Sequence, residues 1–180
     1  GDAFNAFVFL EISSLATYTL IALGRDRRAL VAAYQYLIVG TIGATFYVIG
    51  VGLLYLSTGT LNLELIAERL PEVTSPRALL AAEAFILVGI ALKLALFPLH
   101  AWLPNAYTYA PSAATVLLAS TATKVAVYLL ARYIFGIFGL HREFGDISGA
   151  SLLILLSLAA MFLASAAAIF QNDVKRLLAF

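Results

Sequence analysis

Five stretches of this chain run for about twenty or more residues with almost nothing but apolar side chains, and they limit its fold more than any other feature. They cover about Ala3–Leu23, Ala29–Ser57, Ala78–Phe97, Ser112–Phe138 and Ala150–Phe170. A helix needs about 20 residues to cross ~30 Å of hydrocarbon, and each stretch reaches or approaches that length. The second is long enough to tilt or to project beyond the bilayer. Composition agrees: 63% of the 180 residues are hydrophobic and 12% are charged, against about 25% charged in an average soluble domain. That surplus of apolar surface has no soluble core to enter. The expected fold class is an all-α integral membrane protein, a polytopic bundle of about five transmembrane helices forming one membrane domain over residues 1–180. A further helix is expected to start at Leu177, and the sequence reads as a piece of a longer chain. The stretch 99–111 is too short and too rich in proline to span alone.

A net charge of +1 offers little to a phosphate backbone, which excludes nucleic acid as a partner. Without cysteine there are no disulfides, thiolate metal sites or cysteine-held clusters. Two histidines, His100 and His141, cannot supply paired axial ligands to several haems. No cofactor and no metal are expected. Loop charges set an orientation. Arg25, Arg27, Arg28, Lys175 and Arg176 share one side, while Arg69, Arg77 and Arg142 lie on the other with Glu64, Glu68 and Glu72. The positive-inside rule then puts Gly1 outside and Phe180 in the cytoplasm, in a bacterial or archaeal plasma membrane. Gly40/Ala44 and Gly43/Tyr47/Gly50 on the second span, and Ser157, Ala160, Ala164 and Ala168 on the fifth, are expected packing faces.

Three charges interrupt the apolar runs. Lys93 lies in Ala91-Leu92-Lys93-Leu94-Ala95-Leu96-Phe97-Pro98, where an ammonium costs about 2.5–3.5 kcal/mol at the bilayer centre. Glu11 lies near the middle of the first span, with Ser14 and Tyr18 on its face. Lys124 lies in the middle of the fourth, on a stripe of Ser120, Thr121, Tyr128 and Arg132 that reads as the wall of a hydrated path. Such charges could simply hold the bundle together. One Glu–Lys pair at about 5 Å and an effective dielectric of about 20 is worth about 3 kcal/mol. Inserting both charges costs about 5–7 kcal/mol, so a pair roughly halves the penalty without cancelling it. Function is the better explanation for three of them. Burial favours a neutral amine and a neighbouring carboxylate favours the ammonium, so a buried lysine that meets and leaves a carboxylate takes up and releases a proton.

Pro98, Pro104 and Pro111 mark a break after Lys93. In a helical stretch Pro98 frees the carbonyl of Leu94, and freed backbone at membrane depth survives only in protein or beside water. The alternative is an ordinary surface loop with Trp102, Tyr107 and Tyr109 as an aromatic belt. His100 is either a proton carrier or a packed side chain. His141, beside Arg142 and Glu143, is expected to face solvent, and Glu83 to anchor the third span at the interface.

These residues resemble a known family. Gly1-Asp2-Ala3-Phe4-Asn5-Ala6-Phe7-Val8-Phe9-Leu10-Glu11 resembles the glutamate-bearing helix of the proton-conducting subunits shared by Mrp-type cation/proton antiporters and respiratory complex I. The run from Lys93 through Pro98, His100, Trp102 and Pro104 to Tyr107, then Ala110-Pro111-Ser112, is similar to the family's broken helix. Thr123-Lys124-Val125-Ala126-Val127-Tyr128 resembles its second lysine helix, and Gln171–Ala179 the segment leading into a later one. Asn105 departs from the family, whose members often have Asp there. The resemblance implies the fifth to ninth helices of an inverted-repeat, antiporter-like subunit, with Glu11 and Lys93 as an ion pair and Lys124 as the relay lysine.

The resulting expectation is proton or cation/proton translocation through Glu11, Lys93 and Lys124, in a subunit of an Mrp-type antiporter. His100, Ser120, Thr121 and Tyr128 are further candidates for the relay or its lining. Such a subunit is a transporter rather than an enzyme, with the lipid bilayer, other membrane subunits, protons, and Na+ or K+ as partners. A pumping subunit of a complex I-like NADH-quinone oxidoreductase and a non-conducting scaffold are the alternatives.

Overall fold

The computed structural model describes residues 1–139, 143–144 and 147–180; the expectations for His141 and Arg142 lie outside them. The fold is nearly all helical. Helices α1 (Ala3–Ala22), α2 (Arg27–Thr58) and α4 (Pro76–Leu94) follow the first three apolar runs, with a short α3 (Leu63–Arg69) and one 3-10 turn (Leu70–Glu72) between α2 and α4. The short α5 (Leu103–Tyr109) fills the proline-rich stretch. The fourth span runs from Ser112 to Phe138 as α6 (Ser112–Leu117), a wide π-type turn (Leu118–Ala122), α7 (Thr123–Tyr133) and a second wide turn (Ile134–Phe138). A ladder pairing β1 (Glu143–Phe144) with β2 (Ile147–Ser148) leads into α8 (Gly149–Ile169), which is followed by α9 (Val174–Ala179).

Local chemistry explains where the helices begin. Asp2, Asp26, Asn62, Ser148 and Asp173 each accept a backbone N–H from the first turn that follows, which satisfies donors that no helix can satisfy itself. Gly59 closes α2 with φ +70°, a conformation that costs glycine nothing.

Among the described residues, four spans are long and apolar enough to cross a bilayer: α1, α2, Ser112–Phe138 and α8. Helix α4 is also long, 19 residues or ~28 Å at 1.5 Å per residue. It falls short in apolarity because it carries Arg77, Glu83 and Lys93. It lies instead between its neighbours, with α2 packed along most of its length. There Gly43, Gly50 and Gly89 let the two backbones touch. A Cβ on Gly89 would lie 2.6 Å from the Gly43 carbonyl oxygen, and one on Gly50 would lie 2.8 Å from that of Ala82. The small-residue face expected on α2 is therefore a contact surface. On α8 the expected stripe is half covered: Ala160, Ala164 and Ala168 are half-buried, while Ser157 is exposed.

Two apolar clusters form the core. One joins Tyr47, Val51, Leu54, Ile66, Ile86 and Tyr133; the other joins Ile21, Ala32, Tyr36, Trp102, Ala106 and Leu118. Along α2 the second cluster occupies residues 32–36 and the first 47–54. Near the expected start at Leu177 a helix begins three residues earlier, at Val174 after its Asp173 cap, and this α9 lies against α5.

Candidate functional site: a buried lysine between two apolar clusters

Lys93 occupies the last turn of α4. Its ammonium donates to Glu11 Oε1 at 2.9 Å and to the Ser14 hydroxyl, both on α1. Glu11 and Ser14 are three residues apart and so share one helix face. The Ser14 hydroxyl in turn donates to the Leu10 carbonyl at 2.7 Å. The Lys93 side chain is 7% exposed and that of Glu11 is 31% exposed. On α2, Gly40 makes room for the amine: a Cβ there would lie 3.9 Å from Nζ. The buried Tyr36 hydroxyl faces Ser14 and Thr17. The charge also sits where the C-terminal end of α4 favours a cation. The pair thus lies in a polar layer between the two clusters, beside a void of about 10 Å³ bounded by Glu11, Gly43, Tyr47 and Lys93. That is the lower limit for one water.

The break after Lys93 begins earlier than the prolines imply. The α4 helix ends at Leu94, and Ala95 takes a left-handed conformation with φ +58°. Leu96 N–H then bonds the Ala91 carbonyl at 2.9 Å and Ala95 N–H that of Leu92 at 3.3 Å. This is a Schellman closure with alanine where glycine is usual. Pro98 lies beyond it, Pro104 in the first turn of α5, and Pro111 just before the fourth span, so none interrupts a helix. Trp102 is buried rather than part of an aromatic belt. Its Nε1 donates to the Leu92 carbonyl at 3.1 Å, and its ring lies 4.7 Å from that of Tyr36. A buried indole needs an acceptor, and the Leu92 carbonyl, which already takes Ala95 N–H, has a second lone pair to offer. Asn105 Nδ2 donates to Gln35 Oε1 at 3.2 Å and ties the break to α2.

Lys124 is not joined to that pair. It is exposed on this chain, and its amine donates to the Ala119 carbonyl at 2.5 Å. That acceptor belongs to the wide turn Leu118–Ala122, whose geometry departs from the α-helical bonding pattern. Ser120 and Thr121 hydroxyls both donate to the Leu117 carbonyl, at 3.1 and 2.6 Å. Arg132 donates to the Tyr128 hydroxyl at 3.1 Å. Thr121 and Tyr128, with Leu10 and Ser13 of α1, border a cavity of about 350 Å³. It opens between the helix carrying Glu11 and the span carrying Lys124.

His100 stands apart, half-buried between the rings of Phe97 and Phe180 at 5.4 and 6.3 Å. Its Nδ1 is buried without a hydrogen-bond partner among the described residues. Glu83 is no interfacial anchor. It is 2% exposed inside the bundle, because it shares its face of α4 with the buried Leu79 and Ile86. It borders a cavity of about 190 Å³ with Phe97, Pro98 and residues of α8. The reading from sequence passed over Tyr36, Tyr133 and the acceptor role of Ser14. Tyr47 donates to the Ala3 carbonyl at 3.1 Å, and its hydroxyl lies 2.8 Å from that of Tyr133. A phenol in a lipid-facing run signals a hidden partner, since its hydroxyl cannot be buried unpaired without cost.

This geometry has relatives. An NADH-quinone oxidoreductase subunit of Desulforudis audaxviator, the one lettered N, is 44% identical over the whole chain, which covers 35% of that protein. A Na(+)/H(+) antiporter subunit of Alkalihalophilus pseudofirmus is 33% identical over the whole chain, covering 36% of it. A chain in the structure of the membrane-bound sulfane sulfur reductase, an archaeal respiratory membrane complex, superposes with a TM-score of 0.88 at 36% identity, over 99% of this chain and 36% of that one. The chain therefore spans about a third of the length of each. The family described as NADH:quinone oxidoreductase/Mrp antiporter, TM, matches residues 1–180 from end to end. By that match and by these relatives, the chain belongs to the NADH:quinone oxidoreductase/Mrp antiporter transmembrane family.

Proposed function

We propose that this segment carries the first half of a transmembrane proton, or cation/proton, pathway in which Glu11, Lys93 and Lys124 pass H+ in turn. The observation that carries the reading is the Lys93–Glu11 pair at 2.9 Å, its amine buried and its carboxylate 31% exposed, at the level between two apolar clusters. At that distance and an effective dielectric of about 20 its attraction is about 6 kcal/mol, which only offsets the ~5–7 kcal/mol of inserting two charges and leaves the fold no net gain. A pair that is poor glue is well suited to a switch. While Glu11 stays close, its carboxylate and the Ser14 hydroxyl hold the amine protonated. When the pair parts, burial favours the neutral amine and the proton leaves. The cavity bordered by Thr121 and Tyr128 supports transfer toward the Lys124 span. Tyr128 and Thr121 line that route, while His100 serves at the break.

Full-length protein reconstituted in vesicles tests this. Lys93→Ala abolishes proton flux while the subunit still inserts, and Lys124→Ala slows it severely. Unchanged flux in Lys93→Ala rejects the relay. Normal transport in Glu11→Gln/Lys93→Gln supports a scaffold instead.

Two settings suit the relay. One is an Mrp-type antiporter, exchanging H+ for Na+ or K+. The other is a redox-driven membrane arm, which the higher identity to the oxidoreductase relative than to the antiporter relative, 44% against 33%, favours. Both make the chain one membrane subunit among several in a bacterial or archaeal plasma membrane. Neighbouring genes separate them: several small antiporter subunits, or quinone and iron–sulfur subunits.

A further inference from the structure

A cavity of about 520 Å³ lies at the turn between α1 and α2. Arg25 and Asp26 of that turn, Thr108 and Tyr109 at the end of α5, Ser112 and the α9 residue Lys175 all line it. Three separate stretches of sequence converge there. It sits where α1 ends, α2 begins and the fourth span begins, which is the boundary between hydrocarbon and water for helices that cross a membrane. The cavities beside Glu83 and Lys93 are walled mainly by apolar side chains; this one carries two cations, one carboxylate and three hydroxyls.

The acidic member is already engaged. Asp26 Oδ1 caps α2 by accepting Arg28 N–H at 2.9 Å. The Arg28 guanidinium lies 5.9 Å from the Tyr109 ring centroid and donates to the Tyr109 hydroxyl at 3.4 Å, which fixes that wall. The other two cations keep their donors. Arg25 has no hydrogen bond or ion pair among the described residues. Lys175 makes one long bond, 3.4 Å to the Ala110 carbonyl, and an ammonium has three protons to give. A guanidinium fork and an ammonium on one pocket match the oxygens of a phosphate. The volume far exceeds the ~30 Å³ that one water occupies in the liquid.

We propose that this pocket binds the phosphodiester headgroup of an anionic phospholipid, with Arg25 and Lys175 contacting the phosphate and Ser112 adding a hydroxyl. At that depth the surrounding bilayer supplies the ligand. The proposal needs only that the chain crosses a membrane and is independent of the relay.

The test places full-length protein in nanodiscs holding equal phosphatidylglycerol and phosphatidylcholine, and counts retained lipids by native mass spectrometry. The wild type retains phosphatidylglycerol in excess. Arg25→Gln/Lys175→Gln loses that excess by roughly tenfold or more, the effect of removing two cations from an anionic surface. Arg25→Lys keeps most of it. Raising salt weakens retention in the wild type. A wild type that holds both lipids equally overturns the proposal, and so does a double variant that retains phosphatidylglycerol as the wild type does. Saturable uptake of inorganic phosphate without any lipid preference assigns the pocket to a free anion and also overturns it. The wild-type arms stand even where the double variant fails to fold.

Discussion

Lys93 gathers in one place what a buried ammonium needs: a carboxylate, a hydroxyl, a helix end and a glycine that yields space. Ser14 is the least obvious of these, because it accepts from Lys93 while donating to Leu10. Ser14→Ala leaves the Glu11 pair in place and removes the second acceptor, so proton flux in vesicles is expected to fall several-fold with insertion unchanged. Equal flux in the variant makes Ser14 a bystander. Glu11, Lys93 and Lys124 could be picked out of the sequence because a charge in an apolar run is expensive and therefore conspicuous. The partner of Lys124 could not, because it is a backbone carbonyl in a wide turn that no side-chain pattern announces. Nor could the fate of Trp102, whose composition-level reading as an interfacial aromatic gave way to an indole buried on a helix-end carbonyl. Glu83 misled for a related reason: distance from the helix start suggested an interface, while its face pointed inward.

At the level of elements, four of the long runs were readable because length and apolarity measure the bilayer directly, and the third, α4, by its length. The helix starts were written in Asp, Asn and Ser caps. The end of α4 was hidden, since its left-handed residue is an alanine. Ala95→Gly is expected to stabilise the fold by about 1 kcal/mol, the cost of holding a side chain in that conformation; denaturant titration reads it, and a loss of stability argues against the closure. The α2–α4 contact makes a contrasting pair of predictions. Gly89→Ala forces apart backbones that would meet the new carbon at 2.6 Å and costs about 1–3 kcal/mol or more. Gly52→Ala, with nothing within 4 Å, is neutral or gains up to about 1 kcal/mol from lower chain entropy. Similar losses in both argue that the crossing is loose.

The whole molecule sorts its connections onto two faces. Gly1 bonds Leu63 across one of them, through its carbonyl oxygen at 2.8 Å. On the other, α5 meets α9 and Lys175 reaches Ala110. The basic residues at 25–28 and 175–176 therefore share a face, as alternate crossing of the bilayer requires. With that face cytoplasmic, Asp26→Cys is labelled by a membrane-impermeant thiol reagent only after cells are opened, and Glu68→Cys is labelled from outside. The reverse pattern inverts the subunit. One mechanical outcome follows from the glycine seam. Gly43, Gly50 and Gly89 clamp the rod that bears the amine, so sliding it sideways means prising main chain from main chain. Its carboxylate partner rides on α1, whose buried residues number only Ala3, Ser14, Thr17 and Ile21. In the proposed relay the lysine is thus the fixed post, and the glutamate is the arm that swings.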